Sequence, residues 1–351
     1  MKDDAVDRAG ASVLAAGLTA RSHSLPIKRW IRRRSCAYWI AGALLAVLPA
    51  VARAQFTFTT NNGQITITGY TGAGGALTIP SKTNGYPVGA IAPSAFENNA
   101  NLTTITIPGS VTDIGRGALS GCTKLTSITV HPTNSAYCGL SGVLFSKDQA
   151  TLVAYPAGKG GYYTIPGTVT SIGDLSFYYC TKLTGITIPA SVTSINYEVF
   201  GYCSGLTSIA IPNSVTSIGN WAFFECGNLA RVYFMGNTPT LGANVFYNVL
   251  QTTVYYMPGT TNWSSTFGGC AALLWNPHTL SGDSSFGVRG NRFGFSIAGT
   301  AKIPISVTAC ADLANASWTS LQTCTLTNGL IYFSDPTWTN YSRRFYCIRP
   351  F

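Results

Sequence analysis

The feature that most constrains this sequence is a pattern that returns every 23 residues. Cysteine recurs at Cys180, Cys203 and Cys226, and phenylalanine recurs with the same spacing at positions 177, 200 and 223. Residues 178–229 thus give the pattern C..LT.I.IP.SVTSI....F..C nearly twice. A period of 20 to 30 residues is typical of a solenoid, whose units are too small to bury an apolar face alone and become stable by stacking.

Each repeat predicts one coil built from two short extended segments and a turn. In LTGITIP, the alternation of a strand places Leu183, Ile186 and Ile188 inward and the threonines outward. SVTSI predicts the second extended segment. NYEVFGYC predicts a loose helical turn that is anchored by Phe200.

The ends of the repeat region depart from this pattern. QFTFTTNNGQITITGYTG, from Gln55, alternates around an Asn-Asn-Gly turn and predicts a hairpin that caps the open end of the solenoid. Residues 131–166 interrupt the period and predict an elaborated coil with its own hairpin. The period is lost again after Leu229, as in a terminal capping unit.

The tail, residues 279–351, has no 23-residue period. Five short alternating runs, separated by Gly, Asn, Asp and Pro, predict a small antiparallel β-sandwich. Two roles stay open for it: sorting or retention at the cell surface, and an ordinary packing domain.

The first 54 residues resemble a targeting segment. A basic stretch, KRWIRRRS, precedes the apolar run CAYWIAGALLAVLPAV and the small residues of Ala52-Arg53-Ala54. This order predicts a signal peptide with an N-terminal extension, cleaved after Ala54, and therefore a secreted or outer-surface protein. The alternative is a membrane anchor, but the apolar run is shorter than the roughly 20 residues that span a bilayer.

The positive charge of the chain does not indicate nucleic-acid binding. Of the formal charge of +10, the first 54 residues supply +6 and the remaining chain +4. The basic residues after position 54 are scattered and form no run, so the footprint expected for phosphate binding is missing. Nucleic acid is therefore excluded as a predicted partner.

The repeat unit resembles a known family. LTSIAIPNSVTSIG..AF..C, at residues 206–226, is similar to the BspA-type leucine-rich repeats of bacterial surface proteins, and the resemblance covers residues 56 to about 276. It implies a secreted or surface-displayed protein, and adhesion or protein binding as known for several members. The tail is similar to modules that end secreted repeat proteins of Verrucomicrobia-like bacteria.

Residues suited to catalysis are few and poorly placed. After the leader only His131 and His278 remain, each beside a proline in a turn-like context, so we interpret both as structural. The acidic pairs Asp174 with Glu198, and Glu198 with Glu225, are spaced to approach on neighbouring coils, but near turns, where we expect them to be solvated. No cofactor, metal or catalytic residue is predicted.

The nine cysteines after the leader allow several interpretations. Cys122, Cys180, Cys203 and Cys226 fall at one repeat position and predict a ladder of small buried apolar side chains. Cys310, Cys324 and Cys347 in the tail leave a single disulfide open, with three pairings. Spacings of 14 and 23 lack the close ligand pair of a zinc site.

Taken together, these patterns predict a mainly β fold: a leucine-rich-repeat-type solenoid of 23-residue coils followed by a small antiparallel β-sandwich-like domain. The predicted domains are the signal peptide at 1–54, the capped solenoid at 55–276 and the C-terminal β domain at 279–351. The predicted function is non-enzymatic binding or adhesion toward extracellular protein or polysaccharide. The predicted binding face consists of Thr104, Thr106, Thr126, Thr129, Thr184, Thr187 and Thr207.

The alternative function is a polysaccharide-active enzyme or its carbohydrate-binding module. For this alternative, the aromatic residues near the end of the solenoid would stack on sugar rings. These residues are Tyr255, Tyr256, Trp263 and Trp275.

Overall fold

A computed structural model describes residues 56–249, 251–315 and 317–350. The predicted signal peptide and its cleavage after Ala54 lie outside the described residues. Among the described residues, no helix is long and apolar enough to cross a membrane. The one helical element there is a short 3₁₀ turn at Trp338–Asn340.

The strands of the solenoid follow one another in chain order as short segments. The first are β1 (Phe56–Asn61), β2 (Gln64–Tyr70), β3 (Gly75–Thr78), β4 (Lys82–Thr83), β5 (Tyr86–Ile91), β6 (Leu102–Ile107), β7 (Asp113–Ile114), β8 (Ser127–Val130), β9 (Tyr137–Leu140), β10 (Val143–Ser146) and β11 (Thr151–Ala154). The next are β12 (Gly161–Thr164), β13 (Ser171–Ile172), β14 (Leu183–Thr187), β15 (Ser194–Ile195), β16 (Ser208–Ile211), β17 (Ser217–Ile218), β18 (Arg231–Phe234), β19 (Thr240–Leu241), β20 (Thr253–Tyr256), β21 (Thr266–Phe267) and β22 (Cys270–Leu274).

Two rows of parallel strands run along the solenoid, as the repeat predicts. The first strand of each coil pairs with the first strand of the next, in the groups β3-β6-β8, β12-β14 and β16-β18-β20-β22. The second strands pair likewise, for example β15 with β17 and β17 with β19. The N-terminal hairpin of β1 and β2 is confirmed, and β2 adds in parallel to β5 at the end of the second row.

The core lies between the two rows and the turns. Leu183, Ile186 and Ile188 are buried, which confirms their predicted inward direction, while Thr184 and Thr187 are exposed. The repeated phenylalanines form a continuous stack through the solenoid, with ring centroids about one strand spacing apart. These centroid distances are 5.3 Å for Phe177–Phe200, 5.4 Å for Phe200–Phe223 and 5.4 Å for Phe223–Phe246.

The turn of each coil differs from the predicted loose helical turn. In residues 196–203, Glu198 and Tyr202 adopt positive φ angles of 48° and 58°, a left-handed conformation that a right-handed helix cannot contain. The N–H of Phe200 donates to the carbonyl of Ala222 in the next coil at 2.9 Å. The N–H groups of Glu198 and Tyr202 likewise donate to the next coil, whereas those of Gly201 and Cys203 donate within the turn to the carbonyl three residues back. Alternate N–H groups therefore join neighbouring coils, which a helical turn does not do. Phe200 is buried, as predicted.

The elaborated coil at 131–166 inserts a strand into the core. β10 pairs antiparallel with β9 and with β11, and its Val143, Leu144 and Phe145 are all fully buried. Val143 and Phe145 pack toward the C-terminal coils, whereas Leu144 packs toward the N-terminal coils. β10 therefore divides the solenoid core into two clusters.

The tail forms two antiparallel sheets, which confirms the β-sandwich-like prediction. Its strands are β23 (His278–Thr279), β24 (Gly287–Arg289), β25 (Arg292–Ala298), β26 (Ile303–Cys310), β27 (Thr319–Leu326), β28 (Leu330–Asp335) and β29 (Phe345–Arg349). One sheet has the order β23-β25-β24, with β28 also paired to β25, and the other has the order β27-β26-β29. Phe295, Ile305 and Phe333 are buried in one cluster between them.

Candidate functional site

The seven threonines predicted as a binding face lie along the first strands of the coils, in three repeat positions. Thr106 is in register with Thr129, and Thr187 occupies the same position beyond the elaborated coil, next to Thr164. Thr104 occupies the second position, in register with Ser127. The third position, where each strand begins, holds Thr126, Thr184 and Thr207.

Exposure differs among these threonines. Five of them are exposed, and Thr104 and Thr106 are half-buried. Thr126 is partly engaged by the solenoid, because its Oγ1 and its N–H both donate to the carbonyl of Thr103 one coil earlier, at 3.2 and 2.9 Å. Part of this threonine surface therefore serves the stacking of the coils.

A tyrosine that the sequence pattern does not indicate as a site residue lies on the same row of strands. The side chain of Tyr162 is 67% exposed, and its hydroxyl lies 2.5 Å from Oγ1 of Thr187. Its ring covers Gly185, where an added Cβ would come within 2.6 Å of the Tyr162 ring. The ring, Thr187 and Pro212 line one groove of about 340 Å³. Gly185 is the feature of the sequence that indicates this contact, since the same repeat position holds Thr104, Ser127 and Ser208 in other coils.

The C-terminal continuation of this surface is covered. Tyr233 and Tyr255, in register on β18 and β20, stack with ring centroids 5.1 Å apart. They are buried in one cluster with Phe295 and Ile303 of the tail. Trp275 joins this cluster, and its Nε1 donates to the carbonyl of Pro304 at 2.9 Å. We call the uncovered part, the outward surface of β3, β6, β8, β12 and β14, the open sheet face.

Of the four aromatic residues predicted to stack on sugar rings, two are buried and two are half-buried, so they do not form an exposed stacking surface. Tyr255 and Trp275 are only 5% and 8% exposed. Tyr256 and Trp263 stack on each other at 5.1 Å and pack on the solenoid core. Their rings close the last coils, because the end of a solenoid must cover its apolar interior.

The candidate acidic and histidine residues are engaged in local contacts. Asp174 forms an ion pair with Arg116, at 3.2 Å between Oδ2 and Nε, and Glu225 Oε2 accepts from Asn248 at 2.8 Å. His131 contacts the Thr133 hydroxyl two residues on, at 2.8 Å, and the ring of His278 lies beside the carbonyl of Asn276 at 3.2 Å. Within the described ranges, no three His, Cys, Asp or Glu side chains group as metal ligands.

The repeated cysteines form the predicted buried ladder and also donate hydrogen bonds. The thiols of Cys122, Cys203 and Cys226 bond to carbonyls of the preceding coil, at 3.0, 3.1 and 2.9 Å. Burial raises the pKa of Cys122 to about 12 and raises the pKa values of Cys203 and Cys226 well above the usual range. All nine cysteines of the described residues are free thiols, those of the tail included.

We expect the ladder cysteines to resist alkylation in the native protein. At pH 8 almost no thiolate exists at a buried thiol of raised pKa, and the thiolate is the reactive species. N-ethylmaleimide should label the half-buried Cys138, Cys324 and Cys347 first, and Cys122, Cys203 and Cys226 only in denaturant. Peptide mass spectrometry measures the order. Equal labelling of both groups in native protein would contradict the buried ladder.

Comparison with known proteins identifies the repeat. The model of the BspA type leucine rich repeat region matches residues 77–141 and 160–273 in six copies, together just over half of the chain. The gap between the two matched ranges falls in the elaborated coil. No match extends into the tail, so its resemblance to Verrucomicrobia-like modules stays a prediction. No curated protein matches the sequence.

Several solved structures are similar to this chain. A leucine-rich repeat protein from Eubacterium ventriosum shares 23% identity with a TM-score of 0.45, covering 56% of this chain and 75% of that one. A leucine rich repeat protein of T. pallidum shares 28% identity with a TM-score of 0.30, over 60% and 86%. A leucine rich cell surface protein from Faecalibacterium prausnitzii shares 25% identity with a TM-score of 0.37, over 52% and 59%.

The repeat signature, the two rows of parallel strands and the matched ranges agree with one another. The stacked Phe and Cys positions of the fold are those that define the repeat in the sequence. The chain belongs to the family of proteins with BspA-type leucine-rich repeats.

Proposed function

We propose that the protein is an exported, non-enzymatic binding or adhesion protein that contacts an extracellular protein or polysaccharide through the open sheet face. The observation that carries this proposal is the contrast along one row of strands. The tail buries Tyr233 and Tyr255 at one end, while no described element covers Thr129 or Tyr162. Solenoids typically bind partners through such extended, regular surfaces.

The chemistry of the open sheet face suits broad polar contact around one aromatic anchor. Threonine hydroxyls both donate and accept hydrogen bonds, which matches backbone amides as well as sugar hydroxyls. An exposed tyrosine beside a groove is a common anchor at interfaces, because its ring buries a large area at a small cost in side-chain entropy. Tyr162, with Thr187 fixed against its hydroxyl, is in this position.

The domain division is part of the proposal. We propose that residues 55–276 form the capped solenoid that binds, and that residues 279–351 form a domain that closes its C-terminal end. Cleavage after Ala54 would release both together. Of the two roles open for the tail, packing on the solenoid is supported by the cluster around Tyr233 and Phe295.

Binding by the open sheet face is testable with one matched pair of variants. The purified protein is screened by surface plasmon resonance against immobilised matrix proteins and polysaccharides. For a ligand that is retained, Thr129→Arg should weaken binding at least about tenfold, which corresponds to ~1.4 kcal/mol. Thr193→Arg, an exposed threonine beside the second row of strands, should leave binding within about twofold.

Two results would contradict the proposal. One is a panel from which no protein or polysaccharide is retained. The other is an equal loss of binding in Thr129→Arg and Thr193→Arg, which would place the contact elsewhere or make it nonspecific.

A further inference from the structure

The turns of the C-terminal coils carry an exposed aromatic surface that is separate from the open sheet face. We call it the aromatic ridge: Tyr178, Tyr179, Tyr202, Trp221, Phe224 and Tyr247. The rings contact one another from coil to coil, with centroid distances of 4.3 Å for Tyr179–Tyr202, 5.0 Å for Tyr202–Phe224 and 5.7 Å for Phe224–Tyr247. Tyr247 is 54% exposed and the other five are half-buried.

These rings are not needed to fill the core. The buried stack of Phe177, Phe200 and Phe223 already occupies the interior of the same turns. The corresponding turns of the first coils have Glu97 and Ser120 where the ridge has Tyr178, and they fold without aromatic rings there. A contiguous aromatic surface that the fold does not require is typical of an interaction site, where Tyr, Trp and Phe are enriched.

The ridge also carries negative charge. Glu198 and Glu225 lie in the same turns and are half-buried beside the rings. Glu225 occupies the repeat position of Tyr202 one coil later. Burial, the neighbouring Tyr179 and the charge of Glu225 all raise the pKa of Tyr202. No Lys or Arg of the described ranges forms an ion pair with either glutamate, although the chain after position 54 is net basic.

The side chain of Arg116, at the edge of the ridge, already lies between an aromatic ring and a carboxylate. The guanidinium of Arg116 lies 4.0 Å from the ring centroid of Tyr197, and its Nε lies 3.2 Å from Asp174 Oδ2. A carboxylate from one coil and a ring from the next thus hold a single cation between them. Glu198 and Glu225 lie among rings in the following coils, and no cation from the described part of the chain pairs with either of them.

We propose that the aromatic ridge binds an extended, arginine- or lysine-rich segment of a partner protein. Each cationic side chain would lie on a ring and beside a glutamate, as Arg116 lies on Tyr197 and beside Asp174, which combines cation–π attraction with charge pairing. From Tyr178 to Tyr247 the ridge covers three coil steps of ~4.8 Å, about 14 Å in all. An extended peptide advances ~3.3 Å per residue, so about four residues cover the ridge with two side chains facing it.

The test uses an eight-residue peptide of alternating arginine and serine, fluorescently labelled, and the purified full chain. Fluorescence anisotropy should show binding at 0.15 M salt, and no binding of a peptide in which glutamate replaces arginine. The double variant Glu198→Gln/Glu225→Gln, which removes charge without removing packing, should bind at least about tenfold more weakly. Tyr247→Ser, at the exposed end of the ridge, should bind several-fold more weakly.

The control variant is Asp113→Asn, an exposed carboxylate on β7 away from the ridge, which should bind within twofold of the unchanged protein. Equal affinity of the unchanged protein and the double glutamine variant would overturn the proposal. So would equal weakening by Asp113→Asn, or equal binding of the glutamate peptide. The proposal would also be overturned if the unchanged protein bound a neutral β-glucan and not the arginine peptide, and if Tyr247→Ser abolished this glucan binding. The ridge would then be assigned to polysaccharide.

The proposal for the aromatic ridge and the proposal for the open sheet face can be refuted independently of each other. Thr129→Arg should leave arginine-peptide binding unchanged, and the double glutamine variant should leave the ligand of the open sheet face bound. The inference therefore does not rest on the proposed function.

Discussion

Replacing Ile128 with aspartate should abolish the folded state or lower its stability by more than about 4 kcal/mol, whereas Thr129→Asp should cost less than about 1 kcal/mol. The two residues are neighbours on β8, but Ile128 is 1% exposed and Thr129 is exposed. An aspartate at 128 would place an unpaired charge in the core cluster of the N-terminal coils. Because stacked coils depend on their neighbours, the damage should spread beyond its own coil.

Thermal unfolding followed by circular dichroism measures both variants. Hydrogen exchange shows whether the Ile128→Asp protein loses protection only near β8 or also in the adjoining coils. Similar melting temperatures for the two variants would mean that inward and outward positions are wrongly assigned, and the threonine face with them.

Removing the carboxylate of Asp335 should destabilise the tail by about 3–5 kcal/mol. Asp335 and Arg344 form an ion pair at 3.0 Å whose side chains are only 2% and 8% exposed. Asp335 also accepts from the hydroxyl of Tyr346 at 2.9 Å and from the N–H of Thr337 at 2.8 Å. Asp335→Ala would leave a buried guanidinium without its charge partner.

A second ion pair supplies the control for this prediction. Arg116 and Asp174 are 48% and 33% exposed, so water and salt screen their attraction. Arg116→Gln should therefore cost at most about 1 kcal/mol in denaturant unfolding. A loss as large as that of Asp335→Ala would contradict the distinction between a buried and an exposed pair.

The ion pair of Asp335 with Arg344 makes the stability of the tail depend on pH. Burial alone would raise the pKa of Asp335, but hydrogen bonds from Thr337 and Tyr346 and the charge of Arg344 outweigh it and lower the pKa. A carboxylate with a lowered folded pKa stabilises the protein above its unfolded pKa of about 3.9 and stops doing so as the pH falls through the folded value. The stability gap between Asp335→Ala and the unchanged protein should thus narrow below about pH 4.

The periodic part of the fold could be predicted from sequence because every coil repeats one set of physical constraints. The repeat position of Ile186 faces inward in each coil, so several copies of the repeat give the same evidence for its direction. The elaborated coil has no period, and nothing local indicates that Val143, Leu144 and Phe145 form a strand buried on both sides. The sequence predicts helical turns because the residue type of Glu198 does not indicate its positive φ angle.

The candidate site was only partly predictable for a related reason. Alternation indicates which threonines point outward, but it does not indicate what covers them. Tyr233 and Tyr255 stand where Thr106 and Thr129 stand earlier, and this change from threonine to tyrosine was the signal that the tail packs there. The aromatic ridge is not predicted from the sequence because its residues lie in turns, where the repeat pattern indicates only the anchors of the core.

The proposed function depends on export, so its most direct test is to fractionate the native cells and determine the N-terminus of the protein by mass spectrometry. The account predicts a chain that begins at Gln55, recovered from the medium or the outer surface. A chain that retains residues 1–54 and is recovered from the cytoplasm would contradict it, because the open sheet face would then not meet an extracellular partner.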